Sequence, residues 1–323
     1  MRRREFLTAF GGFIAMLPDL ALAQQPQVRI CQVSPWEGTE HLPRAFERRL
    51  QELGYINGKS VTVRNVLVVP QPKAIEDKIA EILPETDLLV VWGTVTAVAA
   101  KKIATSIPIV FLSVGVPVDI GLVSSLNKPG GNLTGVTFEA ATETYGLRLQ
   151  MLKEFMPNIK SVGVLKAKGD PNVVHAIAAL EKAAPSFGIG LSQFEAGSSD
   201  ELPLVFQTIA QSNIDGLISI AGAFTLLNST RIAQLTLQHR LPSCHGFKDT
   251  VVAGGLISLG PDMTAIAMEG ANYVDKIMRG AKPADLPVQQ PTKLETVINL
   301  KSAKELGLDV PQTLLALADE LIE

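Results

Sequence analysis

Strand-like and helix-like stretches alternate almost without interruption along this chain, and then the same order begins again. Short apolar runs lie at Val28 to Val33, Val61 to Val69, Leu88 to Trp92, Ile107 to Leu112 and Leu133 to Phe138. Between them come segments of helical period. From His41 to Leu53, Leu42, Phe46, Leu50 and Leu53 share one face, and Gly54 stands where a left-handed C-cap belongs. Ala74 to Leu83 and Ala97 to Ala104 read as further helices, and Glu143 to Met156 as a long one that Pro157 ends. Strands separated by helices require parallel pairing, because a parallel connection needs a crossover long enough to hold a helix. Continuous apolar runs predict strands covered on both faces.

The second half repeats the pattern. Strands are expected at Val162 to Lys166, Ile189 to Glu195, Gly216 to Ile220, Leu241 to Cys244 and Leu256 to Leu259. Helices are expected at Val173 to Ala184, Leu202 to Ser212, Leu226 to His239 and Asp249 to Ala253. A late helix from Thr264 to Met278, before the Pro-rich stretch 283 to 291, is long enough to return to the first half. The fold class is therefore α/β: two doubly wound, Rossmann-like lobes joined by a hinge. The first lobe takes residues 24–139 plus about 262–285, and the second takes 140–261 plus the C-terminal tail.

Residues 1–23 stand apart from this pattern. Arg2-Arg3-Arg4-Glu5-Phe6-Leu7, an apolar stretch from Ala9 to Leu22 and the small-x-small ending Ala21-Leu22-Ala23 are the parts of an export signal. The stretch is too short to span a membrane. The consecutive arginines followed by Glu5-Phe6-Leu7 fit the twin-arginine pattern, whose cargo folds before it crosses, and an ordinary Sec signal is the alternative. The expected location is the periplasm, with cleavage near Ala23. The whole chain carries −3 at neutral pH, and residues 1–23 contribute +1, leaving the rest at −4. That balance argues against a nucleic-acid partner. The only cysteines, Cys31 and Cys244, fall in strands near opposite ends of the chain and are expected as buried free thiols.

In open α/β sheets ligands bind beyond the C-terminal ends of the strands. After the first strand, Trp36 in the loop Ser34 to Thr39 is placed to stack on a ligand or to fill the rim. Gly93 and Thr94 follow a strand and open a helix, where amides and a hydroxyl can hold a carboxylate or simply cap the helix. Ser113, Val114 and Gly115 close another strand, with a glycine that admits close approach to the backbone. From the second lobe come Asp170 and Asn172, Phe224, and Phe247 in the His245-Gly246-Phe247 stretch. Nucleophile elbow, His-Glu-x-x-His, P-loop and complete dinucleotide fingerprint are all missing from the sequence. No catalytic residue, metal or cofactor is expected. Cys244 and His245, adjacent in a strand, point to opposite faces and would not converge on one ion.

Several segments closely resemble the bacterial ABC transporter substrate-binding proteins of the tryptophan/tyrosine-binding type. These are Phe46 to Gly58 (FERRLQELGYING), Ser106 to Gly135, and above all Ala253 to Leu308 with its AGGLISLGPDM and YVDKIMRGAKPADLP runs. The resemblance implies a type I periplasmic-binding fold, a small organic ligand such as an aromatic amino acid or related carboxylate, and delivery to an inner-membrane permease served by a cytoplasmic ATPase. A monomer is expected. Two departures bear on the ligand. Where the family commonly reads Val-Gly-Asp-Pro-Val-Gly, this chain reads Val114-Gly115-Val116-Pro117-Val118-Asp119, losing an acid that would face an ammonium group. Lys166 and Lys168 stand where the family usually has Leu-Trp-Asn-Pro, which would suit an anionic ligand if either faced the cleft. The rival expectations are an exported α/β hydrolase with Ser113 or Ser34 as nucleophile and His245 as base, and a two-lobed sensory protein.

Overall fold

The computed structural model describes residues 27–35, 39–69, 71–139, 143–291 and 293–323. The export signal and the 36–38 loop with Trp36 lie outside the described residues. The first half runs β1 (Val28–Ser34), α1 (His41–Glu52), β2 (Val61–Leu67), α2 (Pro72–Ile82), β3 (Leu88–Trp92), α3 (Thr94–Ile103), β4 (Ile109–Gly115) and β5 (Leu133–Glu139). Its strands form one sheet in the order β2-β1-β3-β4-β5, parallel throughout. Every residue of β3, β4 and β5 is buried, as continuous apolar runs require when helices cover both faces. The edge strand β2 exposes Arg64 and Asn65 instead, which guards its open hydrogen-bonding edge.

The second half runs α4 (Thr144–Phe155), β6 (Ser161–Ala167), α5 (Val173–Phe187), β7 (Gly190–Ala196), α6 (Leu202–Gln211), β8 (Gly216–Ser219), α7 (Ala223–Leu227), α8 (Ser229–Gln238), β9 (Ser243–His245), α9 (Lys248–Val252) and β10 (Ile257–Pro261). Then follow α10 (Met263–Met278), β11 (Leu294–Asn299), α11 (Leu300–Leu306), α12 (Gln312–Leu317) and β12 (Glu320–Ile322). The second sheet has the order β12-β11-β10-β9-β8-β6-β7.

Three particulars differ from the sequence expectation. The segment from Leu226 to His239 is two helices, because Asn228 leaves helical geometry and turns its Nδ2 back to the Phe224 carbonyl at 2.8 Å. Strand β4 runs on through a bulge to Gly115 rather than stopping at Leu112. The second sheet is not wholly parallel, since β10 and β11 are antiparallel. Chain path explains the last point. The chain leaves β10 at its C-terminal end, follows α10 and then residues 279–291 along the first sheet, where Gln289 bridges Val136. It re-enters the second sheet from that same end, so β11 must run the other way.

Helix α10 belongs by packing to the first sheet, although it follows a strand of the second. Asp262 caps it, accepting from Thr264 N at 2.7 Å and Ala265 N at 3.2 Å. Its Gly270 lies against Leu112 of β4, so close that an added Cβ would come within 2.5 Å of a Leu112 methyl. Tyr55 Oη, just after α1, donates to Asp275 at 2.8 Å, and Arg49 Nε donates to Asn272 at 2.9 Å, tying α1 and the turn that follows it to α10. The apolar faces of both helices share one core with Leu112, Val136 and Phe138.

Two glycines separate backbone freedom from packing. Gly54, at φ +96°, has open space around it, so Gly54→Ala should cost only about 1 kcal/mol. A Cβ on Gly135 would sit 1.9 Å from the Phe111 carbonyl oxygen of the neighbouring strand. Gly135→Ala should therefore cost about 3 kcal/mol or more, because backbone must move. Urea unfolding of both variants checks the order, and equal losses would contradict it.

Candidate functional site

Parallel strands place all their C-terminal ends at one edge, and here the two such edges face one another. On the first lobe the edge is built from the β3–α3 turn and the end of β4. Gly93 takes φ +83° and starts α3, while Gly93 N donates to Leu112 O at 2.9 Å. Thr94 Oγ1 accepts from Gly115 N at 3.2 Å, which locks the turn to the strand beside it. Strand β4 slips register at Leu112/Val114 and Val114/Gly115, and Ser113 at φ +56° and Val116 at φ +34° bracket the slip. Non-glycine residues in that region carry strain, which persists where surrounding structure over-determines it, commonly at binding sites. The Ser113 hydroxyl faces Met263 Sδ at 3.8 Å. The Val114 side chain belongs to the first-lobe core, with Cys31, Val33 and Phe111.

On the second lobe Asp170 and Asn172 form the turn between β6 and α5. Asp170 Oδ1 accepts from Asn172 N at 2.9 Å, and Asn172 Nδ2 reaches the Ala221 carbonyl at 3.5 Å. Burial holds the half-buried Asp170 carboxyl above its ordinary pKa. The two lobes meet at Asn172, whose Oδ1 would lie 2.4 Å from a Cβ added to Gly115. Phe247 packs against Phe138 of β5 with ring centroids 5.7 Å apart and planes 59° apart. His175 Nδ1 and Asp119 Oδ2 face each other across the lobes at 3.9 Å. Phe224, by contrast, is half-buried against the second lobe's own cluster of Leu165, Phe206 and Leu217. Lys166 lies 3.7 Å from Glu195 on the edge strand β7, and Lys168 is exposed.

Sequence reasoning passed over the most deeply buried charges of this junction. Glu139 ends β5, and Arg148 lies on the inward face of α4, one turn after Tyr145. Their side chains are 4% and 1% exposed, with Arg148 Nη1 3.3 Å from Glu139 Oε1. Arg148 Nε donates to Leu259 O at 3.0 Å, and its guanidinium lies 4.7 Å from the centre of the Tyr145 ring. Burial pushes the Glu139 carboxyl up, against the pull of Arg148, Tyr145 and Thr144. A signal existed: Tyr145, Arg148, Leu149 and Leu152 have the spacing of one helix face, and an arginine on an otherwise apolar face demands a buried partner.

The hydrolase arrangement is not assembled. His245 is fully buried, with Nδ1 2.8 Å from Ser219 Oγ and Nε2 2.9 Å from Ser243 Oγ, so neither ring nitrogen serves Ser113 or Ser34. Cys31 and Cys244 are buried, unpaired and in separate cores. Among the described residues no group of three or more His, Cys, Asp and Glu side chains could hold a metal ion. No described helix is long and apolar enough to cross a membrane.

The family profile for ABC transporter substrate binding proteins matches residues 29–322. The chain belongs to that family. This substrate-binding protein is 22% identical over 288 residues to a tyrosine-binding protein of Clostridioides difficile strain R20291, covering 88% of this chain and 82% of that one. A crystal structure of a conserved domain protein from Vibrio cholerae O1 biovar El Tor superposes with a TM-score of 0.85 at 28% identity, over 91% of this chain and 99% of the other. The ABC domain from Streptococcus pneumonia, solved in complex with L-Trp, also gives a TM-score of 0.85, at 22% identity over 92% and 100% of the two chains. These likenesses support the two-lobed periplasmic-binding architecture built above from strand order.

Burial and the nearby Arg148 charge bring the pKa of His245 down to about 3 from its ordinary 6.5. The folded state thus holds the ring neutral while the unfolded chain takes up a proton below about 6.5. Stability contributed by the neutral ring is complete above that pH and is lost as pH falls towards 3. Between pH 7 and pH 4.5 this residue should account for about 2–3 kcal/mol of lost stability. His245→Asn should flatten that part of the urea-unfolding profile, and parallel profiles for the two proteins would contradict the assignment.

Proposed function

We propose that this substrate-binding protein is the exported receptor of an ABC importer, closing its two lobes over an aromatic amino acid or a related aromatic carboxylate. The observation that carries the reading is the meeting of Gly115 and Asn172, which brings the strand-end loops of both lobes to a single junction. Hinge closure at such a junction buries a small ligand, and the closed form is what a permease recognises. The lobes are residues 24–139 with about 262–285, and 140–261 with the C-terminal tail, and the packing of α10 on α1 supports that division. Thr94, the neighbouring amides and Ser113 hold the carboxylate. Phe247 lines the side-chain pocket, Asp170 and Asn172 close it from the second lobe, and Trp36, which lies outside the described residues, is assigned to the same pocket from its place in the sequence. The tyrosine-binding and L-Trp-bound relatives favour the aromatic ligand class. No bond is made or broken.

Residues 1–23 act as a cleaved signal of twin-arginine type, which delivers the receptor as a monomer to the periplasm. There it serves an inner-membrane permease with its cytoplasmic ATPase.

A panel of aromatic amino acids, aromatic acids and short carboxylates should contain members that raise the melting temperature, since a ligand at 100 times its Kd adds about 2.7 kcal/mol. Thr94→Ala should cut that rise, and a panel without effect would overturn the reading. Gly115→Ala tests closure separately. A methyl on Gly115 would meet the Asn172 carboxamide where the lobes come together, so affinity for the best panel member should fall about 10-fold. Isothermal titration checks this, and unchanged affinity would overturn closure at this contact.

A further inference from the structure

One contact between the lobes lies apart from the residues assigned to the ligand and joins two titratable side chains. His175 Nδ1, in the first turn of α5, stands 3.9 Å from Asp119 Oδ2, in the turn after β4. Their side chains are 30% and 56% exposed, whereas Gly115 and Asn172 are buried. The pair therefore stands at the mouth of the junction, within reach of solvent, and the glycine contact lies further in.

Each partner is held by its own lobe. The turn that carries Asp119 is closed by Ile120 N donating to Val116 O at 3.2 Å, Gly121 N to Val118 O at 2.9 Å and Leu122 N to Pro117 O at 2.8 Å. Leu122 and Val123 anchor it in the first-lobe core. Lys101 Nζ on α3 adds a bond to Gly121 O at 2.5 Å. His175 is carried by α5, where Ala176 and Leu180 pack into the second-lobe core. Neither segment is free to follow the other, so separating the lobes parts the two side chains.

Charge decides what the contact does. A histidine changes charge between pH 5 and 8, and a protonated imidazole attracts a carboxylate at this distance. The first turn of α5 adds to the pull on Asp119, because the positive end of a helix dipole favours an anion there. Other charged groups on the neighbouring elements are engaged elsewhere. Lys101 is bonded to Gly121 O, Asp170 accepts from Asn172 N and lies against Gly222, and Lys168 lies over Gly197. On α4, which packs on α5, Arg148 pairs with Glu139. Glu181, further along α5, accepts from Gln193, and the adjacent Lys182 has the opposite sign. Among the described residues neither His175 nor Asp119 has a second ion-pair partner.

We propose that Asp119 and His175 form a charge latch across the mouth of the junction, which strengthens the closed form while the imidazole is protonated and so retains ligand better on the acid side of neutrality. The effect on ligand rests on the receptor reading above, and the effect on closure rests on the contact alone. Both are positioning residues, acting on lobe closure and not on the ligand. The attraction is present while the ring is charged and is lost as pH rises. An exposed pair of this kind shifts an equilibrium by about 2- to 5-fold.

The test is single-molecule Förster transfer in the full chain, freed of ligand, with dyes on Lys128→Cys and Lys182→Cys, one exposed position in each lobe. Cys31 and Cys244 are buried and take no dye. The ratio of closed to open molecules should be about 2- to 5-fold greater at pH 6 than at pH 8 in low salt, and 1 M salt should shrink the difference. Asp119→Asn should abolish it. Asp119→Lys alone should favour the open form at pH 6, and adding His175→Glu should restore closure at both pH values. A ratio independent of pH, a pH response that survives Asp119→Asn, or failure of the exchanged pair to restore closure would overturn the proposal. L-Tyrosine and L-tryptophan are then added, and whichever binds should dissociate about 2- to 5-fold more slowly at pH 6 than at pH 8 from the native chain but not from Asp119→Asn. If neither compound changes the closed fraction, the aromatic ligand class fails while the latch is decided by the ligand-free measurements.

Discussion

Strand direction is the constraint on which the lobe junction depends. A parallel sheet puts every strand's C-terminal end at one edge, and its crossover helices lie on the faces, so that edge is left as loops and helix starts. Two such sheets facing one another at these edges bring the end of β4 at Gly115 against Asn172 in the turn before α5. Helix α10 keeps this arrangement a hinge rather than a tether. It leaves the second sheet at β10, packs its Gly270 against Leu112 of β4, and gives the chain a second route between the lobes beside the crossing from β5 to α4.

Stability is given up where the lobes meet. Ser113 near the end of β4 and Val116 just after it stand at positive φ around a register slip, and the next strand ends on a buried carboxylate paired with Arg148. Each feature costs free energy, of order 1–3 kcal/mol for a strained residue or an unsatisfied buried group. The fully buried strands on either side hold them in place. Elsewhere the same interior is conventional: His245 is neutral between two serines, and both cysteines are inert in apolar cores.

The two buried titratable sites differ in where they sit. His245 has partners for both ring nitrogens and faces its own lobe. The group around Glu139 spans the crossing from β5 to α4, with Arg148 as its charge partner.

Most of the architecture was legible in the amino-acid sequence, because alternation and helical period follow from local geometry. The β3 limits, the C-cap at Gly54 and the start of α5 at Val173 agree with the sequence pattern for that reason. The break at Asn228 and the reach of β4 to Gly115 were not legible, since one depends on a side chain turning back to its own helix and the other on a bulge against β5. Glu139 and Arg148 were missed because a charge at the end of an apolar strand reads as a solvated terminus until its surroundings are known. The sequence by itself determined two α/β lobes with binding loops at their strand ends. Only the tertiary structure decided that β11 runs backwards, that Asn172 meets Gly115, and that an acid from β5 stands beside the position on β4 that lacks one. Those facts depend on contacts between residues far apart in the chain, which no local pattern encodes.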